Sequence, residues 1–149
     1  MQVRNIHNKT LVLVHTAQQG SYLGGHMNDD IQVDQKLVEA FHLMFDHFPE
    51  GVQLAHKSKR VVAVNPACQA IGRTVGMICA KHGPAEAHKG CLAHKTVKKH
   101  AASWAKGPEI NPGGQTSVVF WLPVDGYPDY FIHFGVGYMK DYAIPPELD

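Results

Sequence analysis

Between residues 117 and 139 the chain carries two runs that alternate with a period of two and are bulky on both sides. Ser117 to Val124 sets Val118, Phe120 and Leu122 on one side and Val119 and Trp121 on the other. Tyr130 to Met139 sets Ile132, Phe134, Val136 and Tyr138 against His133, Gly135 and Gly137. That period belongs to strands, because successive side chains leave a pleated backbone on opposite faces. Asp125-Gly126 begins the turn between them. A hairpin with bulky residues on both faces must be covered on both sides, or covered on one and open to a cavity on the other.

The rest of the chain supplies the cover. Leu37, Phe41, Met44 and Phe48 fall at helical spacing, widened by Val38 and Phe45. Asp30 or Asp34 caps the start, and Pro49 with Gly51 stops the helix. Its stripe reads as core, with a docking face for a second subunit as the alternative. Val52 to His56 and Arg60 to Val64, joined by Lys57-Ser58-Lys59, read as a second hairpin. Asn65-Pro66 ends it, since a residue before proline is pushed out of the helical region, and a short helix follows from Ala67 to Ile71, closed by Gly72. Thr74 to Gly90, with Gly76, Gly83, Pro84 and Gly90, reads as irregular with short helical turns at most. Cys91 to Lys106 has the composition of a helix ending at Gly107-Pro108.

A chain of 149 residues with 44% hydrophobic and 18% charged residues suits one domain with a real core. A net charge of +1 gives no global field to draw in nucleic acid, and the cluster Lys95, Lys98, Lys99 and His100 reads as a solvated helix face. No run is long enough for a membrane span or a signal-peptide core. With three cysteines and no secretory signal the expected compartment is the cytoplasm, where thiols are free or hold metal. Residues 1–28 look unlike the rest and are set aside as a flexible N-terminal arm or tag-like segment; 29–143 form the domain and 144–149 a tail.

The order of elements, and several motifs within it, resemble those of a PAS domain. Phe48-Pro49-Glu50-Gly51-Val52 is similar to the family's approach to its first strand. Arg60-Val61-Val62-Ala63-Val64-Asn65-Pro66-Ala67 resembles its second strand running into the Asn that starts the first short helix. Ile71-Gly72-Arg73-Thr74-Val75-Gly76 resembles the glycine-punctuated step to the next helix, and Phe131 to Asp141 the last strand. The resemblance spans about residues 34 to 142. It implies an α+β fold, a five-stranded antiparallel sheet with helices packed on one face, and a ligand or cofactor bound between the two.

The stretch from Cys79 to His94 resembles a variant of that family in which one cysteine follows the glycine step and a Cys-x-x-Cys pair opens the next long helix. Here Cys79 and Cys91 match, and His88 stands at the middle cysteine. A histidine there keeps a metal ligand and forbids a disulfide. His88, Cys91 and His94 recur every three residues, so on a helix they would share one side, with Cys79 and His82 folding back from the loop. Cys79, His82, His88, Cys91 and His94 are therefore the candidate metal ligands, and thiolate with imidazole suits zinc, or iron in a haem or cluster. The bland alternative is exposed histidines with Cys79 and Cys91 as small core residues. Cys68 and Trp104 read as packing. Trp121, His133 and Gly135 are the candidate ligand-binding residues, with Phe120 able to line the same cavity, because the bare Gly135 leaves room for a ligand beside His133.

No Ser-His-Asp order, phosphate loop or paired catalytic carboxylates stand out. The expected function is a non-enzymatic sensory module that binds a small molecule and signals to a protein partner, with a homodimer as an option and neither nucleic acid nor membrane involved. A metal- or thiol-dependent enzyme using Cys79, His88 and Cys91, and a ligand-free interaction module, are the alternatives.

Overall fold

Asp34 opens the first helix. Its backbone is extended (φ −67°, ψ 120°) and its carboxylate accepts the Lys36 N–H at 2.9 Å, satisfying a donor that no helical carbonyl reaches. This places helix α1 at Gln35–Phe45, with Leu37 and Phe41 buried. The computed structural model describes residues 31–107 and 117–137; the expectations for the N-terminal arm and the C-terminal tail lie outside the described residues. α1 stops before Phe48, at a turn in which the Phe48 N–H donates to the Phe45 carbonyl at 3.0 Å.

Five strands follow: β1 (Val52–His56), β2 (Val61–Val64), β3 (Ser103–Lys106), β4 (Val118–Pro123) and β5 (Tyr130–Val136). They form one antiparallel sheet in the order β2-β1-β5-β4-β3. Helix α2 (Pro66–Ala70), two 3-10 turns (Cys79–Lys81 and Ala85–His88) and helix α3 (Ala93–Lys99) lie between β2 and β3 in sequence. The expected α+β architecture is the observed one, a five-stranded antiparallel sheet with α2, the 3-10 turns and α3 packed on one face; α1 lies against the other.

The strands separate two cores. One face carries Val52, Leu54, Val62, Ala63 and Tyr130 against Leu37 and Phe41 of α1, with Ile132 and Phe134 at its margin. The other carries Ala55, Trp121 and Phe131 against Ala93 of α3, while Val61 and Val64 pack on Cys68 and Cys79. On one side β5 of the terminal hairpin joins the core that holds α1, and on the other the hairpin shares its cover with a cavity.

One expected element is corrected. The helix read from Cys91 to Lys106 is only α3, and its last part is the edge strand β3. His100 adopts a left-handed backbone (φ 46°, ψ 46°), and its N–H closes on the last turn. The chain then reverses so that Ser103 pairs with Trp121 and Lys106 with Val118. Trp104, read as packing, is 64% exposed on that edge. The basic cluster Lys95, Lys98, Lys99 and His100 is exposed as expected, with His100 hydrogen-bonded to Asp125 at 3.0 Å.

Asn65 ties these parts together. It is fully buried, caps α2 by accepting the Cys68 N–H at 2.9 Å, and accepts the Val52 N–H at 2.9 Å with the same oxygen. Its two Nδ2 hydrogens are shared among the carbonyls of Phe45 (3.1 Å), Phe48 (3.1 Å) and Glu50 (2.9 Å). One amide therefore binds the end of α1, the loop after it, the start of β1 and the first turn of α2. Asn65→Ala leaves the Val52 and Cys68 donors without this acceptor, and we expect a loss of roughly 3–5 kcal/mol, read as a shift in the urea midpoint at unchanged slope. A shift worth less than about 1 kcal/mol would show that water replaces the side chain at little cost.

Candidate functional site

The cavity lies between the sheet and the short helices, with a volume of about 430 Å³. Its floor is a row of residues that the register sets side by side across three strands. Gln53 of β1 pairs with His133 of β5, and His133 pairs with Trp121 of β4. All three line the cavity, as do Gly135 on β5, Val119 on β4 and Phe131 on β5. Cys68 of α2, Arg73, Cys79 and Ala80 of the first 3-10 turn, Ala87 and His88 of the second, and Cys91 complete the opposite wall.

The electrostatics of the row follow from its hydrogen bonds. The His133 ring stacks on the Trp121 indole, with centroids 4.9 Å apart and planes 17° apart. Its Nδ1 lies 3.0 Å from the Phe120 carbonyl, which can only accept, so Nδ1 carries the proton. Burial pulls the His133 pKa down to about 4, aided by Arg73 and His88 and opposed by the Phe120 hydrogen bond. The imidazole is neutral near pH 7, and its Nε2 holds a lone pair. Such surface as the half-buried His133 exposes adjoins the cavity.

Gln53 is 1% exposed. Arg73 Nη1 donates to its Oε1 at 2.8 Å, which fixes the orientation of the amide because a nitrogen could not take that bond. Its Nε2 has no hydrogen-bond partner among the described residues. Nearby, burial pushes the Cys79 thiol up, and the neighbouring Cys91 adds to this; Arg73, Lys59 and the Gln53 amide ease it, the last without reaching the sulfur in a hydrogen bond. Burial likewise raises the Cys68 thiol. At the rim, Glu50 is fully buried and its Oε1 accepts the Gly137 N–H at 2.7 Å, holding the approach to β1 against the end of β5.

The expected ligand-binding residues Trp121, His133 and Gly135 all stand on the cavity wall. Phe120 does not: it lies on the opposite face of the sheet, stacked on Phe134 at 5.1 Å. The five candidate metal ligands separate. Cys79, His88 and Cys91 line the cavity, whereas His82 and His94 do not. The helix expected to align His88, Cys91 and His94 is absent. His88 ends a 3-10 turn, Gly90 takes φ +78°, and α3 starts only at Ala93, with His94 exposed on it. His88 Nε2 lies 2.6 Å from the His82 carbonyl and is taken up as its donor. Among the described residues no group of three or more His, Cys, Asp or Glu side chains is gathered as a metal ion requires. This donor set does not fit a closed zinc or iron site, and no step of the function below runs through one.

Sequence reasoning missed Gln53 and Arg73. The signal for Gln53 was there: one long polar residue in the otherwise apolar run Val52-Gln53-Leu54-Ala55, on a strand that needed cover on both faces. Arg73 sits in the glycine-rich step after α2, where Gly72 at φ +83° turns the chain back and the Arg73 N–H bonds the Cys68 carbonyl at 3.2 Å.

No family model matches the chain, and no curated protein matches it. Solved structures do. A LOV protein from Rhodobacter sphaeroides is 22% identical, with 72% of this chain and 70% of that one covered at a TM-score of 0.51. A sensory box sensor histidine kinase from Vibrio cholerae is 12% identical, with 67% and 87% covered at 0.50. At these identities the likeness establishes the fold, and the fold is PAS-like. Among the described residues no helix is long and apolar enough to cross a membrane.

The His133 geometry has a pH consequence. Its folded pKa of about 4 lies below the ordinary 6.5, so between those values the unfolded chain holds a proton that the folded chain refuses. Stability from this group is complete above pH 6.5 and is lost as pH falls toward 4, by roughly 3 kcal/mol at most. Urea midpoints measured across that window should fall with acidity in the wild type and fall less in His133→Phe, which keeps the ring against Trp121. Equal slopes would mean that His133 ionises freely in the fold.

Proposed function

We propose that this chain is a sensory, signal-transduction domain that holds a small molecule between sheet and helices and passes its occupancy to a protein partner. The observation that carries the reading is the cavity itself. It has the volume of a small-ligand site, an aromatic floor in Trp121 and His133, and polar groups at fixed points of its wall. Its likeness to a sensory box sensor histidine kinase and a LOV protein agrees with a sensory role.

The route from ligand to partner is built into the strands. Gln53 and His133 face the cavity, while Val52, Leu54, Ile132 and Phe134, their neighbours on β1 and β5, face α1. A ligand that moves β1 or β5 moves the bed of α1. The outer side of α1 presents Leu43 and Met44, 87% and 61% exposed, as the surface for a signalling protein or a second copy.

The reading is non-enzymatic. An imidazole that protonates only near pH 4 is a weak base at neutral pH, and the buried Cys68 and Cys79 thiols are held away from the reactive thiolate. Haem, zinc and iron are contents to be measured. Metal analysis and a visible spectrum of tag-free protein would support them only if the signal disappears in both Cys91→Ala and His88→Ala.

Native mass spectrometry tests the ligand reading. The wild type, folded in a cell extract depleted of macromolecules, should retain a small molecule, and Gly135→Val should lose it while melting within about 5 °C of the wild type. Failure of the wild type to retain any compound would turn the assignment to a ligand-free interaction module.

A further inference from the structure

We infer that the cavity is selective for planar aromatic carboxylates, with the ring against the Trp121–His133 stack and the carboxylate held by Arg73 and the Gln53 amide. This rests on the ligand-binding reading above and adds the chemical class of the ligand. Three independent observations point the same way.

The first is the orphaned donor. Gln53 is almost fully buried on the cavity wall, its oxygen is taken by Arg73, and its Nε2 has no acceptor among the described residues. A buried N–H without an acceptor is costly, and an oxygen supplied by a ligand relieves that cost. The second is charge. Lys59, Arg73 and Lys89 line the cavity against Glu50 and Glu86, and Glu50 already receives the Gly137 N–H. The balance favours an anion. Arg73 gives one arm to Gln53, and its planar fork keeps further donors suited to a carboxylate.

The third is shape. The indole and imidazole lie nearly parallel, at 17°, and the bare Gly135 stands next but one to His133 on the same face of β5. A further planar ring extends such a stack, and the space beside Gly135 within about 430 Å³ admits one or two fused rings. The lone pair on His133 Nε2 adds an acceptor for a ring N–H or phenol. Nothing in the arrangement transfers a group or an electron; the ligand is held and released unchanged.

Three matched probes separate these elements: indole-3-carboxylate, indole-3-carboxamide and indole, titrated by calorimetry into the wild type and into Gln53→Leu and Arg73→Met. We expect the carboxylate to bind about tenfold more tightly than the amide. Each substitution should cost the carboxylate about tenfold and change indole affinity by less than about twofold. Gln53→Leu removes a buried unpaired donor, so its melting temperature should not fall, which separates lost recognition from lost fold. Equal binding of all three probes would overturn the carboxylate preference and leave the ligand pocket standing. A carboxylate preference untouched by both substitutions would overturn the seat at Gln53 and Arg73. If no probe binds, the inference fails; a compound still retained from cell extract would then show that the pocket is real and takes another class.

Discussion

The fold depends on one buried amide. Backbone groups released where α1 ends, where the loop turns and where β1 begins must find partners away from water. Asn65 meets them from a single position, with its oxygen on two N–H groups and its nitrogen on three carbonyls. Its own backbone N–H donates to Val52 at 3.1 Å, so the residue is locked at both ends. Pro66 after it removes a donor that would have gone unsatisfied in the first helical turn and holds Asn65 in the extended region that a cap requires. Because α2 starts there, the same amide also sets where Cys68 and then Arg73 arrive at the cavity.

The sheet turns that local constraint into a functional arrangement. A strand buried on both faces has neighbouring residues answering to different neighbours, and β1 is the plainest case. Val52 and Leu54 are fully buried beneath α1, while Gln53 between them turns to the cavity and Arg73. β5 repeats the pattern, with Ile132 and Phe134 on one side and His133 on the other. The strands are hydrogen-bonded neighbours at the centre of the sheet, so neither face can shift alone. A ligand still has to favour one position of the strands over another for its presence to be read at α1, and the contacts at Gln53 and His133 are where such a difference would be felt.

Much of this was legible in the chain because it rests on local rules. Period-two alternation placed β4 and β5 and their two faces, the Lys57-Ser58-Lys59 turn placed β1 and β2, and helical spacing with an aspartate cap placed α1. The errors came where a single backbone angle outweighed composition. Ala93 to Lys106 is rich in helix-forming residues, yet His100 adopts positive φ and sends the chain into β3, held by pairing with β4 that no local pattern announces. Gly90 likewise breaks the three-residue rhythm of His88, Cys91 and His94, so a spacing that would align donors on a helix scatters them instead. At the site, Trp121, His133 and Gly135 were readable from strand parity, but Arg73 reaches the cavity only through the fold of a glycine-rich step.

What distinguishes the cavity from a loosely packed core is that its polar groups are arranged at a cost. A core selected only for stability would carry a leucine at Gln53 and an apolar ring at His133, since each polar group there loses hydration. Instead the Gln53 oxygen is anchored by a guanidinium and its nitrogen left without an acceptor among the described residues, and His133 is oriented by the Phe120 carbonyl and kept neutral by burial. Each side chain is held by one end and left with hydrogen-bonding capacity at the other. Side chains fixed in that way lose little further freedom on meeting a ligand, so more of each contact's energy appears as affinity. The unspent donor at Gln53 and the unspent acceptor at His133 lie on adjacent strands beside an indole, a spacing set by the register of β1, β5 and β4. That register is in turn fixed by the buried residues of the opposite face, where a slip of one position would drive Val52 and Leu54 out of the core against α1.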